Sequence, residues 1–65
     1  MKISYERYHV FSRNYWIARI YPNQRHGQAF CNYFGINDDT YLFYEKNPMA
    51  SAQHICTMYI NFEMA

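Results

Sequence analysis

Arg25, Gln28 and Asn32 are the residues whose types and spacing could do chemistry. They stand three and four apart in the stretch QRHGQAFCNYFG, so on a helix they share one face. A guanidinium offers a planar fork of donors that matches a phosphate or carboxylate. The two amides can each donate and accept toward the edge of a polar ring. Tyr33, beside Asn32, and Trp16 supply aromatic faces on which a base could stack. Together these five residues read as a site for a small nucleotide-like ligand. They also have a purely local use, in which Arg25 or Gln28 bonds the preceding loop and Asn32 bonds a neighbouring helix.

Other chemistries find less support. Three His and two Cys are present, but His54 and Cys56 are two apart and point to different faces of a helix. His26 and Cys31, five apart, are also poorly spaced, and no zinc template fits. The adjacent Asp38 and Asp39 suit helix capping better than paired acid–base work. No serine stands in a nucleophile elbow, and no glycine-rich loop is placed to cradle a phosphate. The expectation is therefore a binding protein with no catalytic residues, no metal and no cofactor.

Composition narrows the class. With 65 residues the chain is one small domain with a marginal core, of a size that is usually reinforced by disulfides, a metal or self-association. Cys31 and Cys56 are too few for a disulfide framework and read as reduced thiols in a cytoplasmic chain, with a single bridge between them left open. Aromatic residues make up 22% of the chain: eight Tyr, five Phe and one Trp. Such rings serve either a small core that needs large side chains or an exposed binding surface. A net charge of +1 argues against duplex nucleic acid, whose binders carry a clear basic excess. No apolar run approaches the length of about 18 residues that a membrane span needs, and the N-terminus has no apolar signal region. Small size and aromatic content together favour a homo-oligomer.

The elements that must position these residues are set off by Pro22 and Pro48. Residues 1–21 fit two patterns, a hairpin turning at 12–14 or a helix. In the helical pattern Val10, Ile17 and Tyr21 form an apolar stripe widened by Phe11, Trp16 and Ile20, and Ser12 caps a helix starting at Arg13. The helix is preferred, with room for a short N-terminal β segment. Residues 22–35 form a second helix capped by Asn23 and ended by Gly35, the left-handed residue that commonly closes a helix. Gly27 inside it calls for the close approach of another element. Residues 37–40 are a turn or cap, and 41–44 are a short strand or one helical turn. Asn47-Pro48 then opens a third helix, with Ala52, Ile55, Cys56, Tyr59 and Phe62 along one stripe. The fold class expected is mainly α, a small bundle of about three helices.

The segments YPNQRHGQAFCNYFGI and DDTYLFYE, followed by a helix carrying Ala52, Ile55 and Tyr59, resemble short accessory proteins of tailed phages. Their Arg-x-Gly-Gln-Ala-x-x-Asn core is matched by Arg25, Gly27, Gln28, Ala29 and Asn32, and the resemblance spans roughly residues 15–62. It implies phage origin and a small, mostly helical fold, and carries no activity of its own. Phage accessory proteins of this size commonly disable a host system by binding, an analogy at the level of class alone. Two functions follow as expectations in the host cytoplasm: sequestration of a nucleotide signal, or blockade of one host protein through an aromatic surface.

Overall fold

A computed structural model describes residues 2–63 of the chain. Ser4 begins the architecture: its extended backbone lets Oγ accept from the Arg7 N–H at 3.3 Å and so cap helix α1, Tyr5–Arg13. Glu6 in the first turn and Arg13 in the last complement the helix dipole. Tyr8 and Phe11, three apart, are the residues α1 buries. Past Arg13 the helix widens into a π-helical turn, Asn14–Ala18, and stops at Arg19, which adopts the left-handed conformation at φ 54°. A turn over residues 21–24 leads into α2, His26–Phe34. Helix α3, Thr40–Tyr44, is capped by Asp39, whose Oδ1 accepts from Leu42 N–H at 3.0 Å. Helix α4, Pro48–Met58, is capped by Asn47 with proline in its first turn.

The chain's two extended ends meet. Strand β1, Ile3–Ser4, pairs in parallel with β2, Ile60–Asn61, with Ile3 opposite Ile60. Both isoleucines are buried and close the core at that end. Phe11 and Phe30 occupy the centre, edge to face with centroids 5.5 Å apart, and Phe34 tilts onto Phe30 at 4.8 Å.

Gly27 is explained by α3. A Cβ at this position would lie 2.1 Å from the Leu42 carbonyl oxygen and 2.9 Å from Leu42 Cδ1. The two backbones touch where no other residue type leaves room. Gly35 ends α2 at φ 70°, and the Ile36 N–H returns to Cys31 O at 2.9 Å.

The mainly helical class holds, with four α-helices and the short N-terminal strand among the described residues, and several boundaries shift. Ser12 lies inside α1, because Ser4 supplies the cap one strand residue after the buried Ile3. The expected stripe splits: Phe11 is buried and Tyr21 packs against the core, whereas Val10, Trp16, Ile17 and Ile20 are exposed, and past Arg13 the π turn breaks the 3.6-residue period that would have aligned Ile17 and Ile20 with Val10. Asn23 sits in the preceding turn, and Arg25 takes the cap position of α2. Residues 41–44 fall within α3. Helix α4 ends before Phe62, which is exposed and lies against Tyr5 at 5.7 Å. Cys31, buried, and Cys56, half-buried, are free thiols.

Candidate functional site: an aromatic cleft at the end of the first helix

The π turn decides where the aromatic side chains go. Its wider winding brings Trp16 over His26, with rings 5.4 Å apart and 30° from parallel, while Tyr15 meets Trp16 edge-on at 5.0 Å. The Tyr15 hydroxyl donates to Gln24 O at 3.0 Å and pins the 21–24 turn against this end of the helix. Between the two elements lies an open cleft of about 240 Å³ lined by Tyr15, Trp16, Arg19, Tyr21, Pro22 and Gln24. Three aromatic residues and one arginine therefore line one concavity. Arg19 reaches it from a left-handed backbone that costs a non-glycine residue about 1–2 kcal/mol.

His26 is the floor beneath Trp16. Its ring is 2% exposed and its Nδ1 lies 2.7 Å from Ser51 Oγ, whose hydroxyl also lies 3.0 Å from Pro48 O. The one hydroxyl proton can serve only one of these two contacts. Given to Pro48 O, it makes the imidazole the donor at Nδ1; given to the ring, it puts the imidazole hydrogen on Nε2. In either tautomer Nε2 finds no hydrogen-bond partner among the described residues. Burial pushes this histidine down to about 4, so it is neutral at physiological pH.

The five residues singled out from the sequence do not form one site. Trp16 lines the cleft. Arg25 turns the other way: its Nη2 donates to Phe43 O at 3.3 Å, and its guanidinium lies 5.8 Å from the centre of the Tyr44 ring. Gln28 Oε1 accepts from Arg25 N–H at 3.3 Å, the glutamine half of a capping box whose other half an arginine, having no acceptor, cannot supply. Asn32 Nδ2 donates to Gln24 Oε1 at 3.0 Å and lines a second groove, of about 310 Å³, with Asp39, Phe43 and Tyr44. Tyr33 is exposed on α2 beside Phe11 and Phe34. Arg25 thus holds α2 to α3, Gln28 closes the cap of α2 itself, and the Gln24–Asn32 bond ties the wall of the cleft to that of the groove.

Tyr15, Arg19 and Tyr21 went unread: Tyr15 and Arg19 are simply four apart, and Tyr21 comes within 6.3 Å of the Tyr15 ring only where the chain turns past the left-handed Arg19. The signal available was the density of rings and arginine in YWIARIYP, just before a proline. A second cluster was also invisible. Asp39 Oδ2 accepts from His54 Nε2 at 2.8 Å and from the Tyr59 hydroxyl at 2.7 Å. Burial alone would raise this carboxyl, but the Leu42 amide, Tyr59 and His54 together hold it below its usual value. Burial, and then the same carboxylate, push the Tyr59 phenol up. With both carboxylate oxygens engaged, the cluster ties α3 to α4. Among the described residues no group of three or more His, Cys, Asp or Glu is arranged to hold a metal ion, and no helix is long and apolar enough to cross a membrane. No protein-family model, curated protein or solved structure matches the chain.

Proposed function

We propose that this chain is a small phage accessory protein that acts by binding, and that it sequesters a host nucleotide signal in the cleft at the end of α1. The observation that carries the reading is the convergence of Tyr15, Trp16 and Tyr21 with Arg19 on one concavity. A base stacked on such rings gains about 1–3 kcal/mol, and a guanidinium at the rim can take its phosphate in a forked pair of hydrogen bonds. At about 240 Å³ the cleft is below the range of roughly 300–1,000 Å³ that encloses a drug-sized ligand, so the base would seat and the phosphate stay at the mouth.

Calorimetric titration with a panel of mononucleotides and cyclic nucleotides tests the reading, together with native mass spectrometry of protein purified from producing cells. Binding to one member, abolished by Trp16→Ala and by Arg19→Ala and kept by Asn32→Ala, is the expected result. Silence across the panel, with no releasable mass, would end it. The exposed Tyr33 and Tyr44 favour a second reading, blockade of one host protein through an aromatic surface. It predicts a purified partner that Tyr33→Ala and Tyr44→Ala release without loss of helical signal.

A further inference from the structure

One hydrogen-bonded pair of side chains joins the cleft to the groove beside it. Gln24 lines the cleft and Asn32 the groove of about 310 Å³, and their 3.0 Å bond forms an exposed ridge between the two. The groove, like the cleft, has an aromatic wall. Phe43 and Tyr44 meet edge to face with centroids 5.1 Å apart, and Tyr44 is 64% exposed. Asn37 and Thr40, both exposed, add hydrogen-bonding groups of the kind that meet the edge of a base. The carboxylate in the lining, Asp39, has both oxygens engaged, by the Leu42 amide, His54 and Tyr59. Arg25 follows Gln24 in the chain, and its guanidinium lies 5.8 Å from the centre of the Tyr44 ring. Its Nε has no acceptor and no carboxylate pairs with it among the described residues, so a positive charge stands unneutralised beside the ridge.

We propose that cleft and groove are two subsites for one ligand, a dinucleotide, with a base in each and the linking phosphate over the Gln24–Asn32 ridge beside Arg25. This rests on the nucleotide reading of the cleft and extends it. Each concavity offers an aromatic face, and stacking on such a face tolerates any base. Size favours two joined bases over one. The cleft alone, about 240 Å³, falls below the roughly 300–1,000 Å³ of small-molecule sites, whereas cleft and groove together fall within that range. Charge sorts the parts of the ligand: Arg19 lines the cleft and Arg25 adjoins the ridge, while Asp39 lines the groove. The groove therefore suits a neutral base and leaves the phosphate outside, within reach of a guanidinium. Joining the bases makes the second contact intramolecular, which raises affinity with no change in either subsite.

Isothermal titration calorimetry is the test, comparing ribonucleoside monophosphates with linear ribodinucleotides, cyclic di-AMP, cyclic di-GMP and a ribotetranucleotide. Tyr44→Ala removes the ring of the groove and Thr40→Glu adds a negative charge to its lining, both at exposed positions, with circular dichroism confirming that helix content is kept. One dinucleotide should bind about 10–100-fold tighter than the tightest monophosphate, with one ligand per chain. Each groove variant should bring that dinucleotide down to the affinity of the monophosphate and leave the monophosphate unchanged, whereas Trp16→Ala should abolish both. A dinucleotide no tighter than its monophosphate, or one indifferent to both groove variants, overturns the second subsite while the cleft keeps its nucleotide. Silence from every probe overturns the nucleotide reading along with it. A tetranucleotide more than about tenfold tighter than every dinucleotide overturns the proposal in favour of a single strand.

Discussion

Replacing Gly27 by alanine tests the packing at its tightest point. The added carbon would stand 2.1 Å from the Leu42 carbonyl oxygen, so α2 and α3 must part by about an ångström before ordinary contact is restored. Overpacking of this kind costs about 1–3 kcal/mol and occasionally more, against a gain of at most about 1 kcal/mol from alanine's helix propensity. Parting the helices also stretches the Arg25–Phe43 bond, already 3.3 Å long, and exposes the buried edge of Leu42. A net loss of about 1–3 kcal/mol is a large share of the roughly 3–10 kcal/mol that a domain of this size holds. Urea denaturation followed by far-ultraviolet circular dichroism measures it. Leu42→Ala in the same chain should not rescue the variant, because the closest atom is backbone. Gly35→Ala, in open space but at φ 70°, should cost only about 1 kcal/mol of conformational strain. A Gly27→Ala midpoint equal to or above that of the wild type would refute the close approach of the two helices.

Three further outcomes can be measured. His26 is neutral in the fold and pushed down to about 4, while in the unfolded chain it titrates near 6.5. Its contribution is therefore complete above pH 6.5 and declines as pH falls toward 4, by up to about 3 kcal/mol; His26→Gln should flatten that limb of a stability–pH curve. Asp39, held below its usual value, contributes above its unfolded pKa and is lost at still lower pH. Asp39→Ala should cost about 2–3 kcal/mol in urea through loss of the α3 cap and of the bonds to His54 and Tyr59, and Asp39→Asn should recover the cap portion. Cys31 is buried and its thiol pushed up to about 11, so Ellman's reagent should modify the half-buried Cys56 rapidly and Cys31 only on denaturation; equal rates would contradict the packing around α2.

The parts of this fold that could be read from sequence rest on local chemistry. Gly35 needs a left-handed backbone, Asn47-Pro48 needs only its own side chain and ring, and Gly27 announces an approach without saying of what. The start of the first helix misled because Ser4 and Ser12 are both competent caps, and the choice between them is made by Ile3 pairing with Ile60 at the far end of the chain. The exposed isoleucines misled because a helical stripe presumes one period throughout, and the π turn changes the period after Arg13. The site was half legible. Trp16 was identified as a stacking face and does line the cleft, whereas Arg25 is claimed by Phe43, a carbonyl 18 residues away that no spacing rule connects to it. Arg19, which stands at the cleft, reads in sequence as one of several surface arginines.

The parallel pairing of β1 with β2 has a mechanical consequence. Strand β1 is entered from its N-terminal side and β2 is left from its C-terminal side, so tension applied through the two ends draws the strands in opposite directions along their common axis. The backbone bonds between them, including Ile3 N–H to Tyr59 O at 2.7 Å, are then loaded together in shear and must yield together. A pull at the π turn meets no such clasp and peels α1 from the core one contact at a time. Resistance to forced unfolding, which follows the unfolding rate, should therefore depend on direction: high between the ends, low from the π turn.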